Sequence, residues 1–365
     1  MKIAGRAYRT LWPTPEGAAI EVIDQTCLPH RFATRRLFDL NSTVDAIKTM
    51  VVRGAPLIGA TAAYGYALAL QADPSDRALN LAYDKLLASR PTAVNLRFCL
   101  DEAASCTRPL PEAERAAAAW RRAGELCEED IELNLRIGEA GFALIEAAHR
   151  RTGRTVNVLT HCNAGWLATV DWGTATAPIY LAHNRGVPVH VWVDETRPRN
   201  QGAALTAFEL GEHGVPHTLI ADNAGGHLMQ HGEVDLCIVG ADRITARGDA
   251  ANKIGTYLKA LAARANGVPF YVAAPYTTID WRIDDGVKEI EIEERDAFEV
   301  THISGRLANG EVACVELGPQ GVKAKNPAFD VTPAELIEGF LTDRGFCKAD
   351  KASLAQLFGR DAPQS

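Results

Sequence analysis

The chain has 365 residues, 47% hydrophobic and 23% charged, the proportions of a folded globular protein with room for roughly two domains. A formal net charge of −8 with no basic run excludes the electrostatic footprint of a nucleic-acid or anionic-membrane binder. Eight cysteines stand singly with no CxxC pair, which predicts reduced thiols in a cytoplasmic protein and neither a disulfide frame nor a zinc site.

In chain order, Ala18–Ile23 and Arg36–Leu40 read as short strands separated by Gly- and Pro-bearing turns. Ser42 or Thr43 is the expected cap of a helix reaching about Val52, and Arg53-Gly54-Ala55-Pro56 breaks it and opens the next. The stretch from Gly54 to Ala72 carries no charge. Its alanines, Pro56, Thr61 and two glycines predict a buried helix and not a membrane span. A further helix starts at Asp73-Pro74-Ser75-Asp76, and Arg90-Pro91-Thr92 interrupts before a helix over Ala93–Ser105. Pro111–Arg150 is continuously helical, with the charge density of a long surface helix and weak points at Gly138 and Gly141.

Arg151-Thr152-Gly153-Arg154 is the expected boundary between a domain over residues 1–152 and one over residues 153–365. Beyond it, short apolar runs at Thr155–Thr160, Pro188–Val193, His217–Ala221, Leu236–Val239 and Pro269–Ala273 read as strands. Helices fit between them over Thr174–Asn184, Ala203–His213, Ala224–His231 and Asn252–Ala265. The fold class is therefore α/β: a small N-terminal α+β domain, then a doubly wound parallel sheet. Glu311–Leu317 adds a strand, and Thr332-Pro333-Ala334-Glu335 has the form of a capping box.

Polar groups gather where these strands end, which is where such sheets hold ligands. Asp242 follows the Leu236–Val239 run almost at once. A carboxylate so placed is partly desolvated, its pKa rises, and it can donate a proton; the alternative is a cap or an ion pair with Arg243 or Lys253. Asn252 and Lys253 at the start of the next helix face the same spot. Cys162 follows the first strand among His161, Asn163 and Gly165, poor core residues, and exposed amides there favour a thiolate; the alternative is a small buried apolar residue. After Pro188–Val193 the loop DETRPRNQG leads Gln201 into a helix start suited to a phosphate, with a solvated salt-bridged loop as the equal alternative. There is no GxGxxG after a strand, no P-loop and no GxSxG elbow, which argues against a dinucleotide dehydrogenase, a P-loop enzyme and a serine hydrolase. His227 and His231 have metal-ligand spacing, but HLMQH lacks the glutamate of a zinc protease, so both are read as solvent-side.

Taken together, Arg53-Gly54-Ala55-Pro56, Arg90-Pro91-Thr92-Ala93-Val94-Asn95-Leu96, His161-Cys162-Asn163, Asp194-Glu195-Thr196-Arg197-Pro198, Gly240-Ala241-Asp242-Arg243, Asn252-Lys253-Ile254-Gly255-Thr256 and Asn326-Pro327-Ala328-Phe329-Asp330 resemble the 5-methylthioribose-1-phosphate isomerases of methionine salvage. The wider superfamily includes ribose-1,5-bisphosphate isomerases and regulatory subunits of a translation-initiation exchange factor. The resemblance implies a small N-terminal domain on a Rossmann-like domain and a homodimer without metal or cofactor. It implies a catalytic pair at Cys162 and Asp242, and substrate contacts at Arg53, Gly54, Ala55, Arg90, Gln201, Asn252 and Lys253. Arg97-Phe98 stands where two aromatic residues are expected, and Arg247 where Asn is usual. An added cation at Arg97 opens the alternative of ribose 1,5-bisphosphate, or of 5-deoxyribose 1-phosphate, as substrate. A non-catalytic sugar-phosphate or nucleotide sensor is the remaining rival, and it would not need both Cys162 and Asp242.

Overall fold

The structure, a computed structural model, describes residues 1–90 and 94–359. The break expected at Pro91-Thr92 and the helix start expected at Ala93 lie outside the described residues. A seven-stranded sheet dominates the second half of the chain. Its order is Gly345–Cys347, Gly339–Thr342, Phe270–Ala273, Leu236–Val239, Val156–Thr160, Val189–Asp194, His217–Ile220. All neighbours pair in parallel except Gly345–Cys347, which returns antiparallel at one edge. The first three parallel strands in the chain thus run outward on one side and the next three on the other, the doubly wound order. The switch between the halves falls between Val156–Thr160 and Leu236–Val239, where Leu159 pairs with Cys237.

Both faces of this sheet are covered, as uninterrupted apolar strands require. Leu236 and Ile238 point into one core, with Val158, Val191, Ile179 and Ile145. Cys237 and Val239 point into the other, with Phe270, Phe340, Ala260 and Phe358. The two-residue alternation of strand side chains makes that division.

The first half carries a three-stranded antiparallel sheet, Leu11–Pro13, Ile20–Ile23 and Thr34–Leu37. Helices follow at Leu40–Lys48, Ala55–Ala72, Asp76–Leu87 and Val94–Thr107. The cap of the first is Asp39 and not Ser42 or Thr43: its carboxylate accepts from Ser42 N, and Ser42 Oγ accepts from the Asp39 N–H. The helix Ala55–Ala72 is buried on nearly every side, and among the described residues no helix is long and apolar enough to cross a membrane. The predicted surface helix is a spine instead. Glu112–Thr152 runs 41 residues, about 60 Å at ~1.5 Å per residue. Ala119, Ala123 and Leu126 enter the first core, while Ile137, Ile145 and Ala148 enter a sheet core. Gly138 and Gly141 are close-packing points and not weak ones: a Cβ at 141 would stand 2.4 Å from Pro178 Cγ.

Two local readings are corrected by pairings between distant segments. Asn252 and Lys253 do not open a helix. Arg243–Thr245 and Ala250–Lys253 form an antiparallel pair, and Phe329–Thr332 and Ile279–Asp280 complete a four-stranded sheet around them. The helix begins only at Thr256, because Gly255 has φ +102°, which ends the strand and cannot lie within a right-handed helix. Thr332 likewise ends a strand, and Pro333 leads to a single 3-10 turn, Ala334–Leu336, where a capped helix was expected.

Candidate active site

Cys162 and Asp242 follow the two strands that flank the switch point, so chain order separates them while topology makes them neighbours. Both line one partly enclosed cleft with about 850 Å³ of empty space, its open mouth included. Arg53, Gly54, Ala55, Arg90, Gln201 and Lys253 line it as well. Asn252 does not, although it was expected to. Strand alternation sends Ala251 and Lys253 to the cleft and turns the Asn252 side chain the other way, where its Nδ2 donates to Thr256 Oγ1 at 3.0 Å.

Each polar group is held by its backbone. Cys162 has φ +66°, left-handed for a residue with a Cβ, a conformation costing about 1–3 kcal/mol that its surroundings must impose. Its N–H donates to Thr196 Oγ1 at 2.8 Å, and its carbonyl accepts from Thr206 Oγ1 at 2.7 Å. Arg53 is gripped by Asn163: Nη1 donates to Oδ1 at 2.6 Å and Nη2 to the backbone carbonyl at 2.9 Å. The helix Ala55–Ala72 starts beside it with no side-chain cap, and Gly54 and Ala55 at that start line the cleft. Gln201 precedes a wide turn, Gly202–Thr206, that runs into the helix Ala207–His213. Lys253 Nζ lies 4.6 Å above the Phe329 ring, a cation–π contact inside the cleft. Arg90 Nη1 and Gln201 Oε1 are buried with no hydrogen-bond partner among the described residues, polar atoms that suit a polar ligand.

Burial sets the electrostatics. It pushes the Asp242 carboxyl up from its ordinary range, opposed by Lys253, Arg53 and Arg90, which is the direction an acid donor needs. The Cys162 thiol is also pushed up by burial, against the pull of Arg53 and Lys253, so the resting group is a thiol where exposed amides had suggested a thiolate. Lys253 and Arg90 are each lowered by burial, with Asp242 among the charges opposing it.

Sequence reasoning missed the apolar part of the lining, Met50, Ile58, Ile290 and Phe329, and the acids Glu291 and Glu293. Phe329 stood within a quoted motif; the others had no local signal. Arg97 is exposed and is not part of the lining. Behind the cleft, His161, Asp194 and Asp222 bring three potential metal-ligand atoms within 4.8 Å of one another, but Lys259 Nζ lies 3.1 Å from Asp194 Oδ2 and supplies the positive charge there.

The initiation factor 2 subunit family matches residues 51–349. The chain is 59% identical over 369 aligned residues to methylthioribose-1-phosphate isomerase of Rhodospirillum rubrum, covering 100% of this chain and 95% of that one. With the protein of the same name from Paramagnetospirillum magneticum it shares 61% over 358 residues, 98% and 99% of the two chains. The crystal structure of 5-methylthioribose 1-phosphate isomerase from Pyrococcus horikoshii superposes with a TM-score of 0.85 at 39% identity, covering 97% of each chain. A structure described as translation initiation factor eIF-2B, subunit delta, from A. fulgidus gives 0.80 at 37%, covering 97% of this chain and 100% of that one.

Proposed function

The chain belongs to the initiation factor 2 subunit family, among its methylthioribose-1-phosphate isomerases, and from that membership and the cleft we infer that it converts 5-methylthioribose 1-phosphate to 5-methylthioribulose 1-phosphate. The observation that carries this reading is the meeting of Cys162 and Asp242 in one cleft with Arg53, Arg90 and Lys253.

In an aldose 1-phosphate the anomeric oxygen is esterified, so the ring cannot open to a free aldehyde. Asp242 as the neutral acid protonates the ring oxygen while the C1–oxygen bond breaks. Cys162 as the thiolate removes the C2 proton, leaving an enol phosphate. The C2 hydroxyl then returns its proton to Asp242 as the ketone forms, and Cys162 delivers its proton to C1. Atoms and charge balance, and both groups are restored. Passing one proton from the Cys162 thiol to the Asp242 carboxylate creates base and acid together; the upward shift of Asp242 favours that transfer and the upward shift of Cys162 opposes it. Arg53, Arg90, Lys253 and the first amides of the Ala55–Ala72 helix hold the phosphate. Met50, Ile58, Ile290 and Phe329 suit the methylthio group, while Glu291 and Glu293 would repel a second phosphate, which weighs against the bisphosphate alternative. We further place the reaction in methionine salvage, in a cytoplasmic homodimer, on the strength of that family.

The test offers 5-methylthioribose 1-phosphate, 5-deoxyribose 1-phosphate and ribose 1,5-bisphosphate in turn and follows ketose formation by NMR. Fastest turnover of the methylthio sugar is expected; binding without any product would favour the sensor reading. Run in D2O, the reaction is expected to place some solvent deuterium at C1, because the proton held on the Cys162 sulfur can exchange before it is delivered. Any such deuterium excludes a direct hydride shift, whereas complete retention in slow turnover would favour one.

A further inference from the structure

Glu209 has no place in the chemistry above, yet it is fully buried on the short helix after the wide turn. Its carboxylate meets hydrogen-bond donors on both oxygens. Oε2 accepts from Asn163 Nδ2 at 3.1 Å and from Leu167 N at 3.2 Å, and Oε1 accepts from the Tyr180 hydroxyl at 3.1 Å. Burial pushes its pKa up to about 7, while these donors pull it down. The space it fills exists because residue 165 is glycine: a Cβ there would stand 1.5 Å from Oε1.

The consequence lies at Asn163. Its Nδ2 donates both to Glu209 and to Thr206 Oγ1, at 3.1 Å each, so the amide oxygen is left facing Arg53 Nη1. Reversing that amide would set a donor against the guanidinium, which has donors only, and an acceptor oxygen against both the Glu209 carboxylate and Thr206 Oγ1, whose own hydrogen goes to the Cys162 carbonyl. We propose that Glu209 is a positioning residue for substrate binding: by fixing the polarity of the Asn163 amide it holds the Arg53 guanidinium in the orientation that receives the phosphate. This rests on the reading of Arg53 as a phosphate ligand.

Glu209→Met keeps the length of the side chain and removes the acceptor. It is expected to raise KM for the sugar phosphate and the inhibition constant of inorganic phosphate together, on the order of tenfold, as loss of a buried bond to a charged group does, with kcat changed much less. Glu209→Gln can keep an oxygen toward Asn163 and Leu167 and turn its amide nitrogen to the Tyr180 hydroxyl, so it is expected to restore most of the affinity. In an Arg53→Met background Glu209→Met should add nothing further, because its effect passes through Arg53. Unchanged phosphate affinity in Glu209→Met, equal loss in the Gln variant, or full multiplication with Arg53→Met would each overturn the proposal. Should Glu209→Met not fold, Asn163→Ala removes the same link, and normal phosphate affinity in that variant would overturn it equally. If Arg53→Met alone leaves phosphate inhibition unaltered, the phosphate reading of Arg53 fails first, and the two failures are told apart.

Discussion

Asp242→Asn and Cys162→Ser are each expected to lower kcat by about 10²–10⁴, the usual contribution of a general acid or base, while substrate still binds. Near-normal turnover in either variant would remove that residue from the chemistry. On the proposed mechanism the pH profile of kcat/KM should be bell-shaped, because the reacting pair would carry one proton. Below the lower apparent pKa both groups hold protons, and above the higher one neither does. Asp242→Asn leaves only the requirement for a thiolate at Cys162, so its residual activity should keep the acid limb and lose the alkaline one. At this scale much was legible. A carboxylate after a buried strand and a cysteine amid poor core residues mark themselves. What the residues could not reveal was the sign at Cys162, since local amides and whole-site burial act in opposite directions and burial prevails. Nor could they reveal that Asn252 turns away from the cleft, because that depends on whether the segment is helix or strand.

Two elements carry predictions of their own. Gly54 has φ +91°, and a Cβ on it would lie 2.4 Å from the Ala168 carbonyl oxygen. Gly54→Ala must therefore shift the start of the Ala55–Ala72 helix, losing about 1–3 kcal/mol to backbone strain alone and weakening phosphate binding. Denaturant unfolding and phosphate inhibition measure the two effects separately. On the long helix, Asp130 accepts from Val170 N at 2.7 Å and is pushed up to about 7 by burial. The folded chain thus keeps a proton that the unfolded chain releases near pH 4. Stability is therefore lost as pH rises from about 4 to about 7, and Asp130→Asn should flatten that slope in melting temperature relative to the parent. The parallel strands were readable as apolar runs, and the long helix as an unbroken helical pattern. The four-stranded sheet was not, because Ala250–Lys253 is stabilised by Phe329–Thr332, nearly eighty positions away, and local preference cannot register such a partner.

For the whole molecule, the doubly wound order follows from strand–helix alternation, which is why the sequence pointed to a crevice before any coordinates did. What alternation left open was how the two halves join. Because Glu112–Thr152 contributes to two cores, heating should unfold them together. Trp120 against the first core and Trp166 within a sheet core should report one coincident transition, and two separated midpoints would refute shared cooperativity. Ile137→Ala, at the sheet-facing part of the spine, should lower that single transition by about 2–5 kcal/mol. The spine also makes the place where texture changes in the sequence a poor place to cut. A chain severed after Gly153 would leave one fragment with a bare oily ridge and the other with an uncovered trough of matching shape. Produced apart, both pieces should precipitate; made in the same cell, they should rejoin and regain turnover.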